Sequence, residues 1–324
     1  MLFPMSEYWS FYLAFTGFVL TLLALDLGVF HKKSHEVTFK EAAGWTVVWI
    51  SLAMVFNFGL YSYSVHKFGE EIGKQVALEF LTGFVVEKAL AVDNIFIFVL
   101  VFSFFRVPRH LQHRVLFFGI LGALVFRAIF IALGSVLMKY EWVVMLFGAF
   151  LIFTGVKMLL AKEEDEKDLS DDPLIRFLNK LIPMTHQYHE DKFFIKDGVK
   201  WVATPLFIAL LFLEASDIIF AIDSVPAIFA LTKEPFIVFT SNIFAILGLR
   251  SMYFMLGGVM DKFIYLKHGL ALVLMFVGLK MTALNHLYGG KFPITWSLGI
   301  IAVLIFGSIG LSLWKTRNDS NISN

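Results

Sequence analysis

The chain has 324 residues, 58% of them hydrophobic and only 16% charged, with a mean hydropathy of +0.77. A soluble domain of that length could not bury so much apolar surface beneath so few charges, so a water-soluble globule is excluded. The formal net charge of +1 argues against a basic surface for nucleic acid, and no nucleic-acid partner is expected. There is no cysteine, which removes both a disulfide framework and a thiolate site for soft metals.

The opening residues, MLFPMSEYWS, lack the positive stretch of a cleaved signal peptide, so the first apolar run reads as a retained helix. Crossing the hydrocarbon core takes about 20 mostly apolar residues. Stretches near 8–30, 43–63, 79–103, 114–138, 142–161, 202–231, 236–257, 264–286 and 294–314 qualify. The expected fold class is therefore all-α, a polytopic membrane protein of about nine transmembrane helices whose first partner is the lipid bilayer. The sixth span is long enough to tilt or break. Turn signals at Arg106–Pro108, Lys233–Pro235, Gly289–Gly290 and Pro293 separate several spans. Lys and Arg segregate across this arrangement, 17 in the loops of one side against five on the other, which puts the N-terminus outside and the C-terminus inside. Only the inner loop 162–200 is long and polar. It opens on an acidic run (Glu163, Glu164, Asp165, Glu166), continues through His186, His189 and Asp191, and reads as a solvated linker, with metal sensing as the alternative.

Two triplets of spans repeat. Glu87 to Asn94 (Glu-Lys-Ala-Leu-Ala-Val-Asp-Asn) matches Asp217 to Ser224 (Asp-Ile-Ile-Phe-Ala-Ile-Asp-Ser), each with an acid, five residues, then Asp and a small polar residue. Arg127 and the later Gly155-Val-Lys157-Met match Arg250 and the later Gly278-Leu-Lys280-Met. An odd number of helices per unit inverts the second unit relative to the first, an architecture common in transporters with a site at the midplane. The expected organisation is helices 1 and 2 at the periphery (1–78), repeat one (79–161), the acidic loop (162–200), repeat two (201–287), then helix 9 and the tail (288–324).

A charge at bilayer depth costs about 3 kcal/mol or more and usually faces a cavity or another charge. Span 3 carries Glu87, Lys88 and Asp93, span 4 Arg127, span 6 Glu214, Asp217 and Asp223, and span 7 Arg250. Fully ionised, these sum to a charge of −2, matching one divalent cation. Together with Asn94, Ser216 and Ser224 the carboxylates form an oxygen-only environment of the kind that suits Mn2+, Mg2+ or Ca2+. No histidine lies near a span centre, so an intramembrane zinc-type cluster is not expected. The candidate metal residues are Glu87, Asp93, Asn94, Glu214, Asp217, Asp223 and Ser224. Residues six apart on a straight helix point about 120° apart, so a local break is expected near Asp93 and near Asp223, the latter close to Pro226. Glu214 and Asp217, three apart, share a face. Arg127 and Arg250 read either as structural partners of the acids or as parts of a gate. Lys157 and Lys280, near span ends, read as snorkelling to the interface, Asp26 reads as interfacial, and the glycines at 119, 122, 257 and 258 read as close helix contacts.

The segments Glu87-Lys-Ala-Leu-Ala-Val-Asp93-Asn94-Ile-Phe and Phe220-Ala-Ile-Asp223-Ser224-Val-Pro226-Ala-Ile-Phe229-Ala resemble the motifs of the TerC family. So do Asp191-Lys-Phe-Phe194 and Ser241-Asn242-Ile-Phe-Ala-Ile-Leu-Gly-Leu-Arg250, and the resemblance is closest to the Alx branch. It implies a bacterial inner-membrane protein that exports Mn2+, with no prosthetic group and with manganese as the transported ion. The residues themselves support only a hard divalent cation. No nucleotide-binding signature is present, so transport would be secondary, driven by an ion gradient or the membrane potential. Catalysis by paired intramembrane aspartates is not expected, because the settings Ala-Val-Asp93-Asn94 and Ala-Ile-Asp223-Ser224 lack the Gly-x-Gly-Asp and Tyr-Asp contexts of such proteases. The alternative function is a membrane scaffold or metal-delivery protein that binds Mn2+ without transporting it.

Overall fold

The computed structural model of the chain describes residues 2–25, 38–160, 185, 188, 189, 191–197, 200–256, 265–289 and 292–322. Asp26, the acidic run of the 162–200 loop, His186, and Gly257 and Gly258 lie outside these residues. The helices in chain order are α1 (Met5–Leu25), α2 (Phe39–Phe68), α3 (Glu70–Phe104), α4 (Arg109–Leu137) and α5 (Glu141–Leu160). A short antiparallel pair follows, β1 (Phe194–Asp197) and β2 (Lys200–Ala203), with Phe194 opposite Ala203. The chain then forms α6 (Pro205–Leu231), α7 (Pro235–Leu247), α8 (Leu249–Leu256), α9 (Leu266–Leu287) and α10 (Ile294–Ile322).

Local chemistry sets these boundaries. Thr38 caps α2 by accepting the Glu41 N–H. Gly69, at φ 96°, then lets the chain pass straight from α2 into α3, a conformation that a Cβ would strain. Pro205 and Pro235 open α6 and α7 at positions where a missing N–H costs nothing. Seven helices among the described residues are long and apolar enough to cross a membrane, and the bent pair α7–α8 makes an eighth. α1, α2, α5 and α10 bury only 22% of their apolar windows, leaving side chains such as Val55, Phe58, Phe153 and Phe306 exposed. Such faces are tenable only in lipid. The chain is therefore an all-α, multi-pass membrane protein.

Contacts at the helix ends sort the loops. Glu234 accepts the Leu2 and Phe3 N–H groups at 2.7 and 3.2 Å, and the buried Phe3 ring meets Tyr8, Phe68 and Phe236. The Thr232 hydroxyl donates to Glu79, which also accepts from Gln75 at 2.6 Å. Leu2, Glu79, Lys139, Glu141, Glu234 and His286 line one cavity of about 660 Å³, so the N-terminal segment and these turns share one end of the bundle. At the other end Arg114 pairs with Asp191, Tyr188 donates to the Phe105 carbonyl at 2.6 Å, and Thr204 donates to the Lys192 carbonyl at 2.8 Å. These bonds dock the strand pair, which the apolar pattern gave no reason to expect.

Three expectations are corrected. α3 and α6 run unbroken through Asp93 and Asp223. Pro226 lies inside α6 and can offer no N–H to the carbonyl four residues back, but the helix absorbs that single loss. The interruptions come elsewhere, at a 40° bend around Gly248 between α7 and α8, and at a π-turn over Lys280–Leu284 in α9. Lys280 does not snorkel; it is 2% exposed and lines the 660 Å³ cavity.

Candidate functional site

Four helices bring polar side chains together in the middle of the bundle. α3 supplies Glu87 and Asn94, α4 Arg127, α6 Asp217 and Ser224, and α7 Asn242, all of them 5% exposed or less. Arg127 is the hub. Its Nη2 and Nε donate to the two carboxylate oxygens of Asp217 at 3.0 and 3.4 Å, a two-pronged grip that the planar guanidinium is shaped to make. Nη1 donates to Glu87 Oε1, to Ser224 Oγ at 3.3 Å and to Asn242 Oδ1 at 3.2 Å. Asn94 Nδ2 donates to Asp217 Oδ1 at 3.4 Å. Four of these polar residues, Glu87, Asn94, Asp217 and Ser224, come from the matched motifs of spans 3 and 6, so the motifs meet across Arg127.

A cavity of about 280 Å³ adjoins the cluster. Glu87, Asn94, Arg127, Asp223 and Ser224 line it, together with Lys157 of α5. Glu87 Oε2 is buried without a hydrogen-bond partner among the described residues. An orphan carboxylate oxygen in a low-dielectric interior is costly and calls for a cation or a proton. Asp223 therefore faces the space beside Glu87 while Asp217, six residues earlier, faces Arg127. The roughly 120° between such positions divides their roles and requires no break in the helix.

The remaining expected residues fall as follows. Glu214 shares the α4-facing side of α6 with Asp217, as their spacing predicts, and its carboxylate packs where a Cβ on Gly122 would sit. Its Oε2 is buried without a partner among the described residues. Ser216 turns back on its own helix, donating to the Phe212 carbonyl at 2.8 Å, and adds nothing to the cluster. Asp93 lies on α3, but its side chain is outside the described residues. Lys88 leaves the acids altogether and donates to the Ala245 carbonyl at 3.0 Å, at the end of α7. Arg250 is buried on α8 just beyond the bend. Among the described residues, no three acidic or histidine side chains converge as a ready cage for a metal.

Sequence reading missed Asn242 and undervalued Lys157. Asn242 could have been found, because a carboxamide in the apolar run from Val238 to Leu247 is as conspicuous at bilayer depth as a charge. Lys157 lies near a span end, and only the packing of α5 beside α3 and α6 turns it toward the cavity.

The fold and this site define a multi-pass helical membrane protein with a charged cluster buried between its helices. Residues 72–320 match the Integral membrane protein TerC family, and the chain belongs to that family. It is 52% identical to an uncharacterized membrane protein of Myxococcus xanthus, STKORF319, over 94% of this chain and 92% of the relative. It is 45% identical to the Escherichia coli K12 protein Alx, over 93% of each chain; that relative's name proposes a membrane-bound redox modulator. A Rickettsia bellii membrane protein is 38% identical over 92% of this chain and 96% of the relative. No solved structure matches.

Proposed function

We propose that the chain is a secondary exporter of divalent manganese in the bacterial inner membrane, binding the ion at carboxylates in the middle of the bundle. The observation that carries this reading is the cavity beside Arg127, where Glu87, with an unpartnered buried oxygen, and Asp223 face one space with Asn94 and Ser224. Oxygen donors of this kind suit a hard divalent ion. Arg127 and Lys157 against Glu87, Asp217, Asp223 and Glu214, all ionised, leave two formal negative charges for the ion to neutralise. Asp93 and Glu214 complete the proposed set, as carboxylates that the ion meets on entering or leaving.

The 35-residue α3 is the ninth crossing in this reading; its acids at bilayer depth, Glu87 and Asp93, are those of the proposed site, and Lys88 is spent on the Ala245 carbonyl. Residues 79–161 and 201–287 form the two inverted units, and helix packing supports this. A Cβ on Gly155 would lie 2.7 Å from the Ala271 carbonyl oxygen, and one on Gly278 would lie 2.6 Å from that of Gly148. Gly155 and Gly278 are equivalent in the repeat, as are the positions seven residues before each, so the two contacts interchange under a twofold exchange of the units. The positive-inside rule puts the 660 Å³ cavity at the outer face and the strand pair at the inner face.

Thiol–disulfide chemistry needs a cysteine, and these 324 residues contain none, so a redox role would not run through thiols of this chain. The test is Mn2+ flux into proteoliposomes holding only this protein, compared with an Asp93→Asn, Asp223→Asn double variant. Flux that the variant abolishes is the expected result. Folded wild-type protein that binds Mn2+ but carries none would replace this reading with a scaffold or metal-delivery role.

A further inference from the structure

Arg127 and a divalent cation need the same oxygens. The guanidinium makes five hydrogen bonds in the cluster, to both oxygens of Asp217, to one of Glu87, and to the side-chain oxygens of Ser224 and Asn242. Glu87, Asp217 and Ser224 belong to the proposed ion set. Arginine cannot shed its proton in a protein, so its charge stays at the centre of the bundle whatever the pH. A guanidinium that reaches carboxylates from both matched motifs is itself a cation seated on the acids.

Resting on the manganese reading above, we infer that Arg127 is a tethered counter-cation that competes with the transported ion for Glu87 and Asp217. Two buried carboxylates without a compensating charge would be strongly disfavoured in the membrane interior. Arg127 supplies that compensation, so the acids can pass through a turnover without carrying an ion back. The same competition sets a threshold for entry. An incoming ion must outbid a two-pronged guanidinium grip on Asp217, which favours a divalent cation over Na+ or K+. Of the two acids that Arg127 holds, Glu87 is the one the ion engages before the guanidinium is displaced, because Arg127 takes only its Oε1 and its Oε2 has no partner among the described residues. Asn242, which accepts from Nη1 without belonging to either acidic motif, steadies the guanidinium in this position. The role differs from a structural ion pair in one measurable way. A structural arginine preorganises the acids, so removing it weakens ion binding, whereas a competing arginine weakens ion binding itself, so removing it tightens the site.

The experiment measures Mn2+ affinity directly, by the electron paramagnetic resonance signal of free Mn2+, for detergent-solubilised wild type, Arg127→Gln and Arg127→Lys. Coupling between two ligands bound to one protein is commonly worth about 5- to 150-fold in affinity, and a tethered cation should act on that scale. Arg127→Gln is therefore expected to bind Mn2+ about 10- to 100-fold more tightly than wild type. Arg127→Lys, which keeps the charge but loses the fork, should fall between them. If Arg127→Gln does not fold, Arg127→Lys decides alone, a tighter site supporting competition and an unchanged or weaker one overturning it. Wild type that binds Mn2+ while both variants bind equally or more weakly would overturn the inference and leave the manganese reading standing. Folded wild type and variants that all fail to bind Mn2+ would overturn the manganese reading, and this inference with it.

Discussion

The crossing of α5 and α9 offers a sharp test of the packing around the cavity, through Gly278→Ala. The added Cβ would lie 2.6 Å from the Gly148 carbonyl oxygen, 2.7 Å from Ile152 Cγ1 and 3.0 Å from the Ile152 nitrogen. Two of these three atoms are backbone, which cannot rotate away. Ordinary contact begins near 3.4 Å, so the helices would have to part by about 0.8 Å, a gap that forfeits a quarter to a half of the dispersion energy of each contact across it. Over a packed interface this amounts to about 1–3 kcal/mol. The site should feel the change too, because Lys157 and Thr154 of α5 and Leu274 of α9 line the cavity. The assay is thermal unfolding of the purified protein in detergent, with Gly155→Ala as the repeat-related companion and Gly299→Ala as control. Gly299 has nothing within 4 Å of a Cβ, so alanine there should be neutral or stabilise α10 by about 0.5–1 kcal/mol. Equal melting temperatures for Gly278→Ala, Gly155→Ala and wild type would refute the claim that these helices touch through their glycines.

Other perturbations probe the cluster, the bend and the end of the bundle. Asn242→Leu removes an acceptor from Arg127 in a fully buried setting and should cost about 1–3 kcal/mol in unfolding assays while, by loosening the competing guanidinium, tightening Mn2+ binding. At the bend, Lys88→Met strips the Ala245 carbonyl of its cationic cap, and Gly248→Ala would bring a Cβ within 2.5 Å of Lys88 Nζ. Both should lower the melting temperature and speed backbone hydrogen exchange near 245–249; unchanged exchange in Lys88→Met would show that the cap does not hold the bend. Glu234→Ala removes the carboxylate that accepts the Leu2 and Phe3 N–H groups, so the first residues should become open to proteolysis in intact protein. At the opposite end, Arg114→Ala should shift stability by no more than about 1 kcal/mol, since the Arg114–Asp191 pair is substantially exposed.

Much of the architecture was legible because hydropathy is a sum over about 20 residues and tolerates local error. The expected spans near 114–138, 142–161 and 294–314 begin or end within a few residues of α4, α5 and α10. The acids were legible for a related reason. A buried carboxylate such as Glu87 or Asp217 stands out against an apolar run because its desolvation cost needs a partner. Asn242 carries the same kind of signal in weaker form.

What the chain could not reveal by itself is which partner each charge finds. Lipid-facing helices are apolar on nearly every side, so they lack the polar stripe that fixes a soluble helix's rotation. Neighbouring helices set that rotation instead. It sends Asp217 to Arg127 and Asp223 to the cavity from one unbroken helix, draws Lys88 to the end of α7, and buries Lys280 where its position near a span end suggested the interface. The bend was equally hidden, because Gly248 looks like any other membrane glycine until Lys88 is seen packed into the space its missing side chain leaves. Sequence determined that charges lie buried in a membrane bundle; interhelical rotation, a property of the packed whole, decided which of them meet.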